Sequence, residues 1–238
     1  FPYDSTEALS EEPAPMAAQV TAIEQVASEV IRLEVQVADD VVFEPGQYVR
    51  IRPEGTDVSR SYSMANAPGV NRLEFFIRSV PGGAFSPWLA GAKVGDALEL
   101  SAPHGTFFLR DEDRPRLFVA GGTGVAPFLS MLRSMARQPT AQRTTFVIGA
   151  RTPGHLFAMD ELQSLGAQMQ GIDLRIAVEQ DAAQGCHAGY PTDLIHQLGL
   201  DPATRVYLCG PPPMVEAGRK AAEAAGLPRA DVLCERFT

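Results

Sequence analysis

The second half of the chain repeats one pattern that restricts the fold more than any other feature. Short apolar runs, each long enough for a buried strand, are separated by stretches with helical spacing. Strands that alternate with helices form a parallel sheet. We therefore expect an α/β domain with a five-strand parallel sheet over residues 113–238. The apolar runs are 117–120, 146–148, 174–178 and 206–209.

The helical segments between these runs have recognisable faces and ends. Two of them place apolar residues at positions i, i+3, i+4 and i+7, on one side of a helix. Prolines 211–213 can open a third helix, because the first N–H groups of a helix need no partner, and Gly226 can close it. The two apolar faces are Phe128, Met131, Leu132 and Met135, and Leu162, Leu165, Gly166 and Met169.

The first half of the chain has strand periodicity instead. Ile31, Leu33, Val35 and Val37 alternate with polar residues, and glycine and proline interrupt such runs. This pattern predicts an antiparallel β-barrel over residues 17–112, because closure removes exposed sheet edges. Residues 1–16, rich in proline and acidic side chains, have the composition of a linker or tail.

Charge and cysteine content argue against several classes of partner. A net charge of −9 and a pI near 4.9 disfavour nucleic acid and anionic membrane, which bind clustered cations. Cys186, Cys209 and Cys234 suit neither a disulfide framework nor a metal ligand set, so we expect no metal. No apolar stretch would span a bilayer and no leader opens the chain, so we expect a cytoplasmic protein.

The first chemically informative segment is Arg60-Ser61-Tyr62-Ser63, which ends a predicted strand and is followed by Asn66. It offers a permanent cation for a diphosphate, an aromatic ring for stacking, and hydroxyls for the polar edge of a bound ring system. Taken alone, the segment is also compatible with an ordinary polar strand.

The second segment is Gly82-Gly83-Ala84-Phe85-Ser86, which precedes a predicted short helix. Free N–H groups at a helix start attract anions, and glycine lets a phosphate approach the backbone closely. Two glycines before a helix also occur in plain turns. Together with Arg60, however, the segment predicts a diphosphate clamp.

The third segment is Gly121-Gly122-Thr123-Gly124, between an apolar run and an amphipathic helix. A strand, a glycine turn and a helix start form the dinucleotide phosphate site of doubly wound folds. The spacing departs from the usual G-x-G-x-x-G, so the prediction rests on the place of the turn between a strand and a helix. A purely structural glycine turn is the alternative.

The fourth segment, Cys209-Gly210-Pro211, follows the last of these apolar runs. Ligands bind at the carboxyl ends of parallel strands, and a small side chain followed by glycine leaves room for a flat ring. The alternative is a core cysteine before a helix that begins at proline.

The order and spacing of these segments resemble the ferredoxin–NADP reductase superfamily, from about residue 17 to the end. The resemblance implies that Arg60 grips the FAD diphosphate, Tyr62 stacks on the flavin, Ser63 lies near its N5 atom, and Cys209 lies near the nicotinamide. It implies three catalytic residues, Ser63, Cys209 and Glu235. The implied cofactor-binding residues are Arg60, Ser61, Tyr62, Ser63, Phe76, Ile77, Arg78, Gly82, Gly83, Ala84, Phe85, Ser86, Gly122, Thr123, Gly124, Arg151, Cys209, Gly210, Pro211 and Phe237.

Within that superfamily, two further segments resemble the reductase components of bacterial multicomponent oxygenases: residues 157–162 and the ending Glu235-Arg236-Phe237. This resemblance implies electron flow from NADH to FAD and then singly to an iron–sulfur protein or domain that serves an oxygenase. The opening Phe1-Pro2-Tyr3-Asp4 looks like the junction after a plant-type ferredoxin domain. The four-cysteine pattern of such a domain is missing, so the partner is either a separate chain or a domain outside this sequence.

Two alternatives share these motifs. A reductase that acts directly on free flavin or haem would have the same cofactor sites. A non-catalytic, flavin-binding regulatory module would share the fold. Such a module would place no catalytic constraint on four of the motif residues, which could then have been replaced: Arg60, Tyr62, Ser63 and Cys209. The four histidines lack ligand spacing, and we expect surface or structural roles for them: His104, His155, His187 and His196.

The choice of nucleotide depends on the group that meets the adenosine ribose. A carboxylate accepts from the 2′-hydroxyl and repels a phosphate, whereas arginine attracts a phosphate. Arg151 follows the second predicted strand of the α/β domain without an acidic neighbour, and Glu179 follows the third. Together with the resemblance to oxygenase reductases this favours NADH over NADPH, with Arg151 as either a phosphate contact or an ordinary loop cation.

Overall fold

The computed structural model describes residues 12–138, 142–169 and 171–237. These residues form one antiparallel and one parallel sheet, so the predicted fold class is confirmed. The predicted tail lies largely outside the described residues, and the first strand begins at Met16. Within the described ranges, no helix combines the length and the apolar character needed to cross a membrane.

The first sheet contains six antiparallel strands, which pair in the order β4-β3-β6-β1-β2-β5. They are β1 (Met16–Ala27), β2 (Val30–Val41), β3 (Tyr48–Pro53), β4 (Arg60–Ser63), β5 (Val70–Arg78) and β6 (Ala97–Leu100). The edge strands β4 and β5 do not pair, so the sheet is a half-barrel rather than a closed barrel. The short helix α1 (Ser86–Gly91) buries Leu89 in the core of this sheet.

The second sheet is parallel throughout, in the order β10-β9-β8-β7-β11-β12. Its strands are β7 (Arg116–Gly121), β8 (Thr144–Ala150), β9 (Ile172–Val178), β10 (His187–Ala188), β11 (Arg205–Gly210) and β12 (Val232–Arg236). The described residues thus form six parallel strands where five were expected. The edge strand β10 was not predicted because it has only two residues and no apolar run.

Three helices accompany the parallel sheet, α2 (Val125–Arg137), α3 (Met159–Gln168) and α4 (Pro212–Ala224), and they confirm the predicted helical segments. Gly226 has φ +85 just after α4, in the left-handed region predicted for a helix end.

One hydrophobic core spans both sheets. Phe76 of β5 stacks on Phe157 with ring centroids 4.6 Å apart. In the connection between the sheets, Phe107 makes edge contacts with the rings of Phe128 and Tyr207. Because these rings are buried and interlocked, packing sets the orientation of the two sheets.

Candidate cofactor site

A cavity of about 630 Å³ opens where the strands of the parallel sheet end. Gly122 and Thr123 line it from the glycine turn, Met214 lines it from α4, and Val30 and Arg78 line it from the half-barrel. The carboxyl edge of a parallel sheet is where ligands bind in open α/β folds. The volume is in the range of small-molecule sites.

The residues of the glycine turn between β7 and α2 differ in how closely they are packed. Gly122 has φ +55, and no atom lies within 4 Å of where its Cβ would be, so it leaves the turn open toward the cavity. Gly124 is structural, because a Cβ there would collide with the carbonyl oxygen of Cys209. The turn can therefore present Gly122 and Thr123 to a phosphate while it packs closely against β11.

The edge strand β4 presents a cation and a ring. Within the described residues, the exposed Arg60 guanidinium bonds only to the carbonyl of Ser59, 2.8 Å away, and has no carboxylate partner. Ser61 is exposed beside it. The half-buried Tyr62 ring lies 5.3 Å from the Phe85 ring, and burial raises the pKa of Tyr62 to about 12. A free cation beside a neutral ring is a suitable set of groups for a flavin dinucleotide.

The turn at residues 82–86 differs in detail from the predicted phosphate clamp. The Gly83 N–H donates to the Val80 carbonyl at 3.0 Å, and the Ser86 hydroxyl donates to the same oxygen at 2.6 Å. These two donors are used because the turn, with Gly82 at φ +76, closes on itself. Among the described residues, the N–H groups of Ala84 and Phe85 have no acceptor, so they are the donors left for an anion.

Two of the three predicted catalytic residues meet where the sheets join. The Ser63 hydroxyl, at the end of β4, donates to Glu235 Oε2 on β12 at 3.3 Å, across 172 positions of sequence. Burial raises the pKa of the Glu235 carboxyl to about 7, and the bond from Ser63 opposes part of that rise. Glu235 is therefore a half-buried carboxyl, bound to the buried Ser63, that can change its protonation near neutral pH.

The third predicted catalytic residue, Cys209, does not open onto the cavity. Its side chain is fully buried in the shared core, and burial raises the pKa of the thiol well above its ordinary value. Cys209 does not line the cavity because β11 is buried from Val206 to Gly210, and a position of the thiol near a nicotinamide stays a prediction. Pro211 lines the cavity, and Gly210 accepts at 2.9 Å from the N–H of Phe237, which holds that terminal ring half-buried against the core.

The three predicted cofactor residues of β5 differ in whether their side chains reach the cavity. The side chains of Phe76 and Ile77 are buried in the two cores, so only their backbone could reach a ligand. Arg78 is exposed and lines the cavity. Within the described ranges, no group of three or more His, Cys, Asp or Glu side chains is placed to hold a metal ion.

One functional candidate was missed by sequence reasoning. Glu29, in the tight turn between β1 and β2, lines the cavity and places its Oε2 3.4 Å from Arg151 Nη2 and 3.2 Å from His155 Nε2. The sequence showed no acid beside Arg151, since this one comes from the other sheet. His155, for which we expected a surface or structural role, also lines the cavity. The two-residue turn gave no signal of which side chains it would meet.

The half-barrel with its free cation and ring, and the parallel sheet with its glycine turn, define a two-domain oxidoreductase that binds a flavin and a nicotinamide nucleotide. The chain belongs to the ferredoxin reductase family. Residues 17–109 match the oxidoreductase FAD-binding domain, and residues 118–220 match the oxidoreductase NAD-binding domain. FAD and a nicotinamide nucleotide are its cofactors.

Named relatives agree with this assignment. The chain is 35% identical to the toluate 1,2-dioxygenase electron transfer component of Pseudomonas putida, over 92% of this chain and 67% of that protein. It is 37% identical to the propane 2-monooxygenase reductase component of Mycolicibacterium smegmatis, again over 92% and 67%. The crystal structure of the Amycolatopsis cytochrome P450 reductase GcoB has a TM-score of 0.89 at 30% identity, over 94% of this chain and 70% of that one. The chain thus spans about two thirds of the length of these proteins.

Proposed function

We propose that this chain transfers a hydride from NADH to FAD and passes the electrons singly to an iron–sulfur protein or domain that serves an oxygenase. The relatives named above, which are components of dioxygenase and monooxygenase systems, support this proposal. The observation that carries it is the contact between Ser63 and Glu235, since it brings the flavin segment β4 to the carboxyl end of the nucleotide sheet.

The chain contributes mainly position and charge. When bound, FAD accepts two electrons as a hydride and can release them one at a time. Arg60 would hold the flavin diphosphate by charge-assisted hydrogen bonds, and Tyr62 would support the flavin ring. Gly122 and Thr123 would receive the phosphates of the nucleotide, so that the two reacting rings meet between the sheets.

Ser63 and the half-buried Glu235 would take up and release the proton of the reaction. A hydride carries one proton with its two electrons, so electrons that leave singly leave a proton behind. A carboxyl with a pKa of about 7 can take up and release that proton at neutral pH, through the Ser63 hydroxyl.

We assign residues 17–112 to flavin binding and residues 113–238 to nucleotide binding. We place the reaction in the cytoplasm, because Cys186, Cys209 and Cys234 are all free thiols, as is usual in a reducing compartment. NADH is the proposed donor because the charged groups that line the cavity include three carboxylates, Glu29, Glu179 and Asp193.

Acceptor preference tests the proposal. The FAD-loaded chain would be mixed with NADH, and turnover would be compared with ferricyanide, a plant-type ferredoxin, free flavin and cytochrome c as acceptors. We expect rapid flavin reduction by NADH, and electron delivery to the ferredoxin that exceeds delivery to free flavin or haem. Fastest turnover with free flavin, or with haem in the absence of ferredoxin, would instead favour a direct flavin or haem reductase.

A further inference from the structure

We infer that Glu29, supplied by the flavin-side sheet, determines nucleotide specificity by occupying Arg151 and His155 and so disfavouring a 2′-phosphate in the cavity. This inference rests on the proposed use of NADH. Arg151 is the cation that follows β8 at the cavity wall, and without a partner it would attract a phosphate.

The Glu29 carboxylate lies among three basic side chains. Its Oε2 is 3.4 Å from Arg151 Nη2, 3.2 Å from His155 Nε2 and 4.0 Å from Arg78 Nη2. Arg151 and His155 also lie 3.2 Å from each other, and His155 Nδ1 lies 2.7 Å from the Thr152 hydroxyl. One carboxylate oxygen therefore organises the basic side of the cavity.

Backbone contacts hold Glu29 in this place. Ser28 donates its N–H to the Gly154 carbonyl at 2.8 Å, which docks the β1–β2 turn onto the segment that contains His155. Ser79 donates its N–H to the Glu29 carbonyl at 2.8 Å. Glu29 itself has φ 59, a left-handed conformation that a non-glycine residue keeps only where its surroundings hold it. The docked turn thus fixes the backbone from which the Glu29 carboxylate reaches Arg151 and His155.

The charge of the cavity makes the effect selective. Its lining contains two guanidinium groups, Arg78 and Arg151, against the three carboxylates of Glu29, Glu179 and Asp193. A 2′-phosphate would bring roughly two more negative charges, as phosphate monoesters do at neutral pH. It would have to displace Glu29 from Arg151 or lie beside it, whereas a 2′-hydroxyl adds no charge and can donate to a carboxylate.

Direct binding separates the 2′-phosphate from the diphosphate that both nucleotides share. FAD-loaded wild type and Glu29→Gln would be titrated calorimetrically with 5′-AMP, 5′-ADP and 2′,5′-ADP. We expect Glu29→Gln to bind 2′,5′-ADP about tenfold more tightly, with changes below about twofold for 5′-AMP and 5′-ADP. The matched control is Glu24→Gln on the same hairpin, where Glu24 is exposed and pairs with Arg32 at 3.5 Å. This variant should leave the affinities for all three nucleotides unchanged.

A second variant tests the cation that Glu29 holds. Adding Arg151→Ala to Glu29→Gln should return the affinity for 2′,5′-ADP to the wild-type value. The inference would be overturned if Glu29→Gln bound 2′,5′-ADP no more tightly than wild type. It would also be overturned if 5′-ADP gained as much affinity as 2′,5′-ADP, because Arg151 would then bind the diphosphate and not the 2′-phosphate.

Steady-state ratios distinguish this inference from the proposed function. With ferricyanide as acceptor, kcat/KM for NADH and NADPH would be measured for wild type and Glu29→Gln, after thermal unfolding shows that both are folded. If wild type prefers NADPH, the proposal of NADH fails whatever the variant does. If wild type prefers NADH and the variant leaves the ratio unchanged, only the role of Glu29 fails.

Discussion

At the scale of single residues, Glu235 is the site carboxyl whose pKa the fold raises. It lies beside Cys209 in the β11–β12 register, half-buried, with the Ser63 hydroxyl as its hydrogen-bond donor. Burial penalises the carboxylate more than this one bond stabilises it, so the pKa rises to about 7. Both the stability of the fold and the proton chemistry of the site should respond to pH through this residue.

Glu235→Gln should change how stability depends on pH. The carboxyl has a pKa of about 7 in the folded chain against an ordinary 4.5, so the folded chain binds more protons between these values. The contribution of Glu235 to stability is therefore lost as pH rises from about 4.5 to about 7, and the variant avoids this loss. Urea unfolding would measure the free energy of unfolding of variant and wild type at pH 4 and pH 8. From pH 4 to pH 8, the variant should gain about 1 to 3 kcal/mol of unfolding free energy relative to wild type. An equal difference at both pH values would contradict the raised pKa.

Arg60→Ala should weaken FAD retention, because it removes the exposed guanidinium that the described residues leave without a carboxylate partner. A charge-assisted contact of this kind contributes on the order of 1.5 to 3 kcal/mol. Flavin fluorescence during dialysis measures the release. Arg72→Ala is the matched control, since Arg72 is exposed on β5 and pairs only weakly with Glu34, at 3.8 Å. Full flavin retention in Arg60→Ala would remove this residue from the diphosphate site.

At the scale of elements, α2 connects the two halves of the site. Ser130, Arg133 and Arg137 lie on one face of this helix and donate to carbonyl oxygens of residues 65–68, at 2.8, 2.8 and 3.1 Å. The same helix begins at the glycine turn. One rigid element therefore sets the distance between the segment that follows β4 and the turn that would hold the nucleotide.

Arg133→Met should destabilise the fold because Arg133 pairs with Glu74 at 3.1 Å and Glu161 at 2.7 Å. Its loss removes positive charge beside the largely buried Glu74 carboxylate, and a buried charge that loses a partner costs up to about 3 kcal/mol of stability. Urea unfolding measures the loss. Arg137→Met, on the same helix face, is the control and should change stability by less than about 1 kcal/mol. Glu74 is also bound by Arg32 at 2.9 Å, so Arg133→Met, Glu74→Gln and the double variant would be compared in a double-mutant cycle. Strictly additive losses would argue against the Arg133–Glu74 ion pair as the cause.

Removal of Phe237 and Thr238 should change nucleotide binding. The Phe237 ring lies half-buried against the shared core, and the backbone N–H of Phe237 donates to the Gly210 carbonyl, next to Pro211 at the cavity wall. If this ring must move when a nicotinamide arrives, its deletion should tighten nucleotide binding and shift the flavin absorbance spectrum. Removal of Thr238 alone is the control. Unchanged affinity and spectrum in the longer deletion would show that the ring is only a structural cap.

At the scale of the whole molecule, the two sheets work as one unit because they share a core. Val30, Ala65 and Phe76 of the first half join Phe118 and Phe128 of the second in a single buried cluster. The connection between the sheets adds a hydrogen bond of 3.0 Å from the Arg110 N–H to the Tyr207 hydroxyl. Close packing of this kind resists sliding, so the protein itself sets where two bound rings meet.

Sequence patterns predicted the elements well because those patterns are local. Alternation marked the strands of the half-barrel, apolar spacing marked α2 and α3, and prolines marked the start of α4. β10 escaped prediction because two residues carry no periodicity. The sheet was expected to close into a barrel, but β4 is only four residues long. Beyond it, Ala65 and Asn66 each share one hydrogen bond with Glu74 of β5, at 2.8 and 2.9 Å, and α2 binds the same segment.

The sequence by itself determined the fold class, the order of the two domains and the segments from which the site is built, since each depends on residues near one another in the chain. Only the tertiary structure decided which side chains meet. Glu29 reaches Arg151 across 122 positions and Ser63 reaches Glu235 across 172, and Cys209 is enclosed between packed layers. Spacing along a strand or helix says which face a residue occupies, but it carries no information about what the other sheet places opposite that face.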